Sequence, residues 1–237
     1  MSPHERASAR GVDSRRWYLP REPGRAAIAG VVSFLVGYAV TGIAFTIEMQ
    51  SASGGGSGAD GLLASIVDQA VGIGSRQIVA TSGGELLLAL RAIGWTFFSA
   101  QQIPLSGTVS GLGVTATGTV DVLSLARTSA DVALTPALYY IVPPICLVLA
   151  GWWFARTRRP STPWAGAGVG AQIAFGYLPF VLVGSLLFAL SASVSFLVAS
   201  ARITAEPVVL RAAFFGAGYA VVFGALGGAL AAKVPQN

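Results

Sequence analysis

The sequence predicts a mainly α-helical membrane protein with four transmembrane helices and a mixed α/β extracytoplasmic domain between spans 1 and 2. Three observations carry that expectation. Of 237 residues, 54% are hydrophobic and 11% charged, whereas soluble domains run near ~25% charged. Four stretches, 26–47, 137–155, 163–190 and 208–232, are apolar over the roughly 20 residues that a helix needs to cross a hydrocarbon core. Between the first two lies a long segment, 48–136, of different composition and opposite charge.

The chain opens on a basic tail, 1–25, with Arg6, Arg10, Arg15, Arg16, Arg21 and Arg25. Ser14-Arg15-Arg16-Trp17-Tyr18-Leu19 approximates a twin-arginine export signal. Arg21 and Arg25 separate that pair from the apolar run, and the run is long for a cleavable signal, so 26–47 is expected to stay as a signal-anchor helix.

Segment 48–136 carries Glu48, Asp60, Asp68, Glu85, Asp121 and Asp131 against Arg76, Arg91 and Arg127. A Gly/Ser linker at 51–61 holds Gly54-Gly55-Gly56, a composition that favours no regular structure. Leu62, Leu63, Ile66, Val67 and Ala70 then recur at helical spacing. Residues 86–105 contain Leu86-Leu87-Leu88-Ala89-Leu90 and Gly94-Trp95-Thr96-Phe97-Phe98, but Arg91 interrupts them and Gln101-Gln102 ends them. A fifth span here would carry the arginine cluster Arg156, Arg158 and Arg159 to the outside, against the positive-inside rule. Residues 85–100 are therefore expected as a helix lying on the membrane, anchored by Trp95 and Phe98, or packed within the outer domain. From 103 to 132 the pattern turns to Thr, Val and Gly, which favours short strands joined by glycine turns.

Spans 137–155 and 163–190 form a hairpin around a short cytoplasmic loop, 156–162. Trp152, Trp153 and Trp164 flank it, as expected of an aromatic belt. Segment 191–207 is expected as an outer loop and 233–237 as a second cytoplasmic tail. Arg15, Arg16, Arg21, Arg25, Arg156, Arg158 and Arg159 are thus topogenic, placing both termini in the cytoplasm of a multi-pass protein of the cell membrane. Nucleic-acid binding is not expected, because no aromatic residues interleave these arginines in a binding pattern.

The spans are poor in chemistry. The first three hold no acidic or basic side chain, Arg211 lies near the end of the fourth where it can snorkel, and Gln172 is the strongly polar residue deep in the third. Pro143-Pro144 and Pro179 are expected to kink their helices. One histidine, His4, one cysteine, Cys146, and one lysine, Lys233, leave no basis for a metal site, a disulfide or a nucleophile with its base. No enzyme, cofactor or metal is therefore expected.

Small residues do show a pattern. Gly216, Ala220, Gly224, Gly228 and Ala232 recur every four positions, one slightly slanting stripe on a helix. Shorter stripes are Gly166, Gly170 and Ala174 in the third span and Ala29, Ser33, Gly37 and Thr41 in the first. Lipid supplies no hydrophobic drive for helix association, so close backbone approach along such stripes is the expected packing device.

The basic tail, the single span, the Gly-rich outer domain with Gly94-Trp95-Thr96-Phe97-Phe98-Ser99-Ala100-Gln101, and three further spans with Gly176-Tyr177-Leu178-Pro179 and Gly224-Ala225-Leu226-Gly227-Gly228-Ala229-Leu230-Ala231 resemble uncharacterised multi-pass membrane proteins of halophilic archaea. That resemblance implies no activity. On the residues alone, the expected role is a structural or interaction component of the cell envelope, in contact with the lipid bilayer and another membrane or envelope protein. The alternative is a small permease or channel subunit for an uncharged solute.

Overall fold

The computed structural model describes residues 23–52, 85–111, 114–124, 135–196 and 199–233. The tail with Arg15, Arg16 and Arg21, the linker beyond residue 52 and the apolar periodicity at 61–71 lie outside the described residues.

Helix α1 (Pro23–Ala52) is followed by α2 (Glu85–Ser99), strands β1 (Leu105–Gly111) and β2 (Val114–Val120), and helix α3 (Pro136–Arg158). Helices α4 (Pro163–Ala171) and α5 (Ala174–Leu187), strands β3 (Leu190–Phe196) and β4 (Ala199–Pro207), and helix α6 (Val209–Ala231) complete the order. Four helical stretches, Pro23–Glu48, Pro136–Arg158, Pro163–Leu187 and Val209–Ala231, are long and apolar enough to cross a membrane. In α1 the small residues Ala26, Ala29, Ser33 and Thr41 are buried with the rings of Phe34 and Phe45, while Ile28, Val32, Leu35, Val36, Val40 and Ile43 are exposed. An outer face made of large aliphatic side chains is the arrangement of a helix whose surroundings are lipid.

The third span is interrupted at Gln172–Ile173, and α3 runs unbroken through Pro143 and Pro144. The Gln172 N–H bonds to Val169 O (3.1 Å), Ile173 N–H to Gly170 O (3.3 Å) and Gly176 N–H to Ile173 O (3.1 Å). These three-residue bonds are a tightened helical turn. It lies where neighbours press closest: a Cβ on Gly30 of α1 would strike the Ile173 carbonyl, and one on Gly170 would strike Gly224 and Gly228 of α6.

The four strands form one antiparallel sheet in the order β2-β1-β4-β3. Its two hairpins come from different inter-span segments. Strand β1 pairs with β2 on one side and with β4 on the other, Leu105 opposite Pro207 and Gly111 opposite Ala201. Segment 191–207, expected as a connecting loop, therefore supplies half of the sheet. The expected third span, 163–190, ends its helix at Leu187 because Leu190 is already paired with Ala205.

Two cores follow. At the sheet end Leu88, Ala92 and Trp95 pack with Phe45, Leu105, Val122, Leu123, Tyr139 and Leu190. Within the bundle Phe34, Phe97, Phe98, Leu147, Phe154, Ile173, Tyr177 and Val181 form a second cluster with Ala212 and Ala220.

Candidate functional site

Helix α2 begins in the segment after α1 and turns back into the bundle. The run Leu86–Ala92 is made of Leu, Ala and Arg, so its helical propensity is good, whereas Ile93–Phe98 with Gly94 and three aromatics relies on burial. Its length is fixed by its end. Ile103 N–H bonds to Phe98 O (3.0 Å) and Gln102 N–H to Ser99 O (3.0 Å), the paired bonds of a Schellman motif. Gln102 occupies the left-handed position of that motif with φ 62°, and buried Ile103 follows it.

The second half of the helix lies inside the protein, while Leu86, Leu87 and Leu90 of its first half are exposed. Trp95, Phe97, Phe98, Ser99, Ala100 and Gln101 are all buried. Trp95 and Phe98 are thus not membrane-surface anchors. The reason is local: Gly94 leaves room for the Phe188 ring, onto whose carbonyl Trp95 Nε1 donates at 2.8 Å. Phe98 meets the same ring edge-on at 5.8 Å, and Phe97 meets Phe34 of α1 edge-on at 5.3 Å. Gly37 admits Phe97, a Cβ there coming within 3.0 Å of the ring.

At the tip of α2 a polar cluster forms in an otherwise apolar interior. Tyr177 donates its hydroxyl to Gln101 Oε1 at 2.8 Å, Gln101 Nε2 donates back to Phe97 O at 3.3 Å, and the Tyr219 hydroxyl reaches Ala100 O at 3.5 Å. The Cys146 thiol and the Tyr219 hydroxyl are electrostatic neighbours of Tyr177. Gly37, Cys146, Tyr177 and Tyr219 each lie within two residues of the midpoint of their span. The end of α2 therefore reaches the middle of the bundle, where a non-helical turn is tolerated only when protein buries its backbone. Amide and phenol groups that satisfy one another can hold a helix in place or coordinate a neutral polar solute. They supply no acid or base for chemistry at neutral pH.

A second polar tie closes the sheet end. Glu48 accepts from the Tyr139 hydroxyl at 2.6 Å and from the Thr135 N–H at 3.0 Å, joining the end of α1 to the start of α3. Ser99 Oγ accepts from Val122 N–H at 3.1 Å and links α2 to the turn after β2. Among the described residues no three His, Cys, Asp or Glu side chains group as metal ligands.

The expected packing stripe faces inward. Gly216, Ala220, Gly224 and Gly228 are buried and Ala232 is half-buried. A Cβ on Gly224 would come within 2.6 Å of Gly170 O, one on Gly216 within 2.9 Å of Val181, and one on Gly228 would strike Gly166. Gly227, outside the stripe, sits against Val148 and Trp152 of α3. Of the arginines expected to be topogenic, Arg25 starts α1, and Arg156, Arg158 and Arg159 close α3, Arg159 with φ 47°.

Sequence reasoning missed Gln101, Tyr177 and Tyr219 as a group. Gln101 read as the polar stop of an apolar run, and tyrosines in a span carry no signal of what they face.

A family model described as a family of unknown function (DUF7978) matches residues 5–235. No curated protein and no solved structure matches the chain.

Proposed function

The chain belongs to DUF7978, a family of unknown function, and from its geometry we propose that this multi-pass membrane protein is a structural or interaction component of the cell envelope. The carrying observation is the β1–β2 hairpin. Val114 through Thr119 are exposed on both faces of the sheet, and this edge strand has no lysine, proline or other charge to blunt it. Such an edge offers unpaired N–H and C=O groups to an extended partner. The bundle serves to hold it: α2 fills the space between the spans and ties them to the sheet. The test is a pull-down of the tagged protein from gently solubilised native membranes, beside Thr117→Lys, which charges the edge. Envelope proteins that co-purify with the first and are lost from the second support the reading; transporter subunits, or partners indifferent to Thr117→Lys, count against it.

The proposed orientation puts both termini in the cytoplasm and the sheet outside, in the cell membrane. Arg25, Arg156, Arg158, Arg159 and Lys233 lie towards one end of the bundle, and Glu48, Asp121 and Glu206 towards the other beside Arg202 and Arg211, so the described basic residues are in excess at the first end. That is the polarity the positive-inside rule requires. We also propose a halophilic archaeal setting, on 14 arginines against one lysine, and a non-enzymatic role, since the mid-bundle polar groups are already hydrogen-bonded to each other.

A second reading, a permease or channel subunit for an uncharged solute, is favoured by one observation: Gln101, Tyr177 and Tyr219 place neutral polar groups at mid-span, beside a helix that carries Pro143 and Pro144. Swelling of proteoliposomes in glycerol, faster than that of empty liposomes and altered by Gln101→Leu, would establish it.

A further inference from the structure

The α3–α4 turn carries a surface that the reading above does not use. Arg156 and Arg159 are exposed there with half-buried Arg158 at the end of α3, and Lys233 joins them because Ala232 packs its Cβ against Gly166, near the start of α4. Among the described residues the acidic residues Glu48, Glu85, Asp121 and Glu206 all lie away from this turn, at the sheet end or the start of α2. The turn is therefore a cationic surface with no carboxylate of its own among the described residues.

Its aromatic residues set a depth. Trp164 is 89% exposed and Trp153 59%, an unfavourable arrangement in water but the usual one at headgroup level, where an indole is wet at one edge and apolar at the other. The Arg156 guanidinium lies over the Trp152 ring, 5.0 Å from its centroid. Stacking covers a face of the guanidinium and leaves its N–H edge available, the geometry that takes a phosphate through paired hydrogen bonds. The start of α4 contributes little: Thr162 already accepts the Ala165 N–H at 3.2 Å, and Pro163 has none to give.

We propose that this turn, with Lys233, is a binding surface for the phosphate headgroups of anionic membrane lipid, Arg156 and Arg159 contacting phosphate while Trp153 and Trp164 fix the depth. It rests on the membrane placement of the bundle and not on the partner proposed for the sheet, so either can fail alone. The occupant is lipid and not free phosphate, because both exposed indoles need an apolar phase beside the arginines.

The test uses the full chain with Trp17→Phe, reconstituted in phosphatidylcholine containing a minority of phosphatidylglycerol, with bromine on the tails of one lipid at a time. Brominated phosphatidylglycerol should quench the indole fluorescence more than brominated phosphatidylcholine at equal mole fraction. The relative binding constant should fall about fivefold for each arginine removed in Arg156→Gln and Arg159→Gln. Salt should weaken the preference in the unsubstituted arginine background, a measurement that needs no folded arginine variant. Equal quenching by the two lipids, a preference unchanged in the double variant, or one insensitive to salt would overturn the proposal. Loss of the preference on adding millimolar inorganic phosphate at constant ionic strength would overturn the assignment to lipid.

Discussion

Tyr177 donates its hydroxyl to Gln101 across 2.8 Å and 76 residues of chain, joining α5 to the tip of a helix that begins outside the bundle. Both side chains are buried, so neither can exchange its partner for water without moving α2. Tyr177→Phe should cost about 1–3 kcal/mol by leaving a buried amide oxygen unpaired. Gln101→Leu with Tyr177→Phe should cost clearly less than the two single changes summed. Thermal unfolding in detergent measures the cycle; strict additivity would mean that the two groups do not interact.

Gln102 holds a left-handed conformation without being glycine. An L side chain is disfavoured there, and its position is the one that glycine fills in this motif. Gln102→Gly should stabilise the protein by roughly 0.5–1 kcal/mol. A lower unfolding temperature for this variant would show that the Gln102 side chain makes a contact worth more than the strain.

Gly224 and Val222 are two residues apart on α6 and face different surroundings. A side chain at 224 would enter the backbone of α4, whereas Val222 is 54% exposed. Gly224→Leu should destabilise by about 3 kcal/mol or more, since neither backbone can give way, and Val222→Leu by less than about 0.5 kcal/mol. Equal shifts in unfolding temperature would place the glycine stripe against lipid.

The four spans were legible because bare runs of this length leave the backbone no choice but a helix. At Gly166, Gly170, Gly224 and Gly228, four of the regularly spaced small residues, an added Cβ would meet the backbone of the neighbouring helix. The sheet was half legible. Thr108, Val109, Thr115, Thr117 and Thr119 mark β1 and β2 by β-branching, but Ser191-Ala192-Ser193-Val194-Ser195 alternates between small residues, which sets no hydrophobic face. No local pattern could show that β1 pairs with β4 across the whole length of two spans. The central cluster was illegible for a related reason. Gln101 is satisfied by Tyr177, far along the chain, and without that partner a glutamine after an apolar run reads as the place where the run meets water.

Orientation follows from labelling. In a Cys146→Ala background, Thr117→Cys should react with an impermeant thiol reagent applied to intact cells, and Ser161→Cys, in the exposed α3–α4 turn, only after lysis. The reverse pattern would invert the protein in the membrane.

The central claim is that the bundle anchors and the sheet makes the contacts. Its most direct test is a photo-cross-linking amino acid placed singly at Thr117 on β2, exposed at the sheet edge, and at Val222 on α6, exposed on the outside of the bundle. Irradiation of native membranes should give a discrete protein adduct from position 117 and only lipid adducts from position 222. A discrete protein adduct from 222 with none from 117 would contradict the account and move the working surface into the membrane.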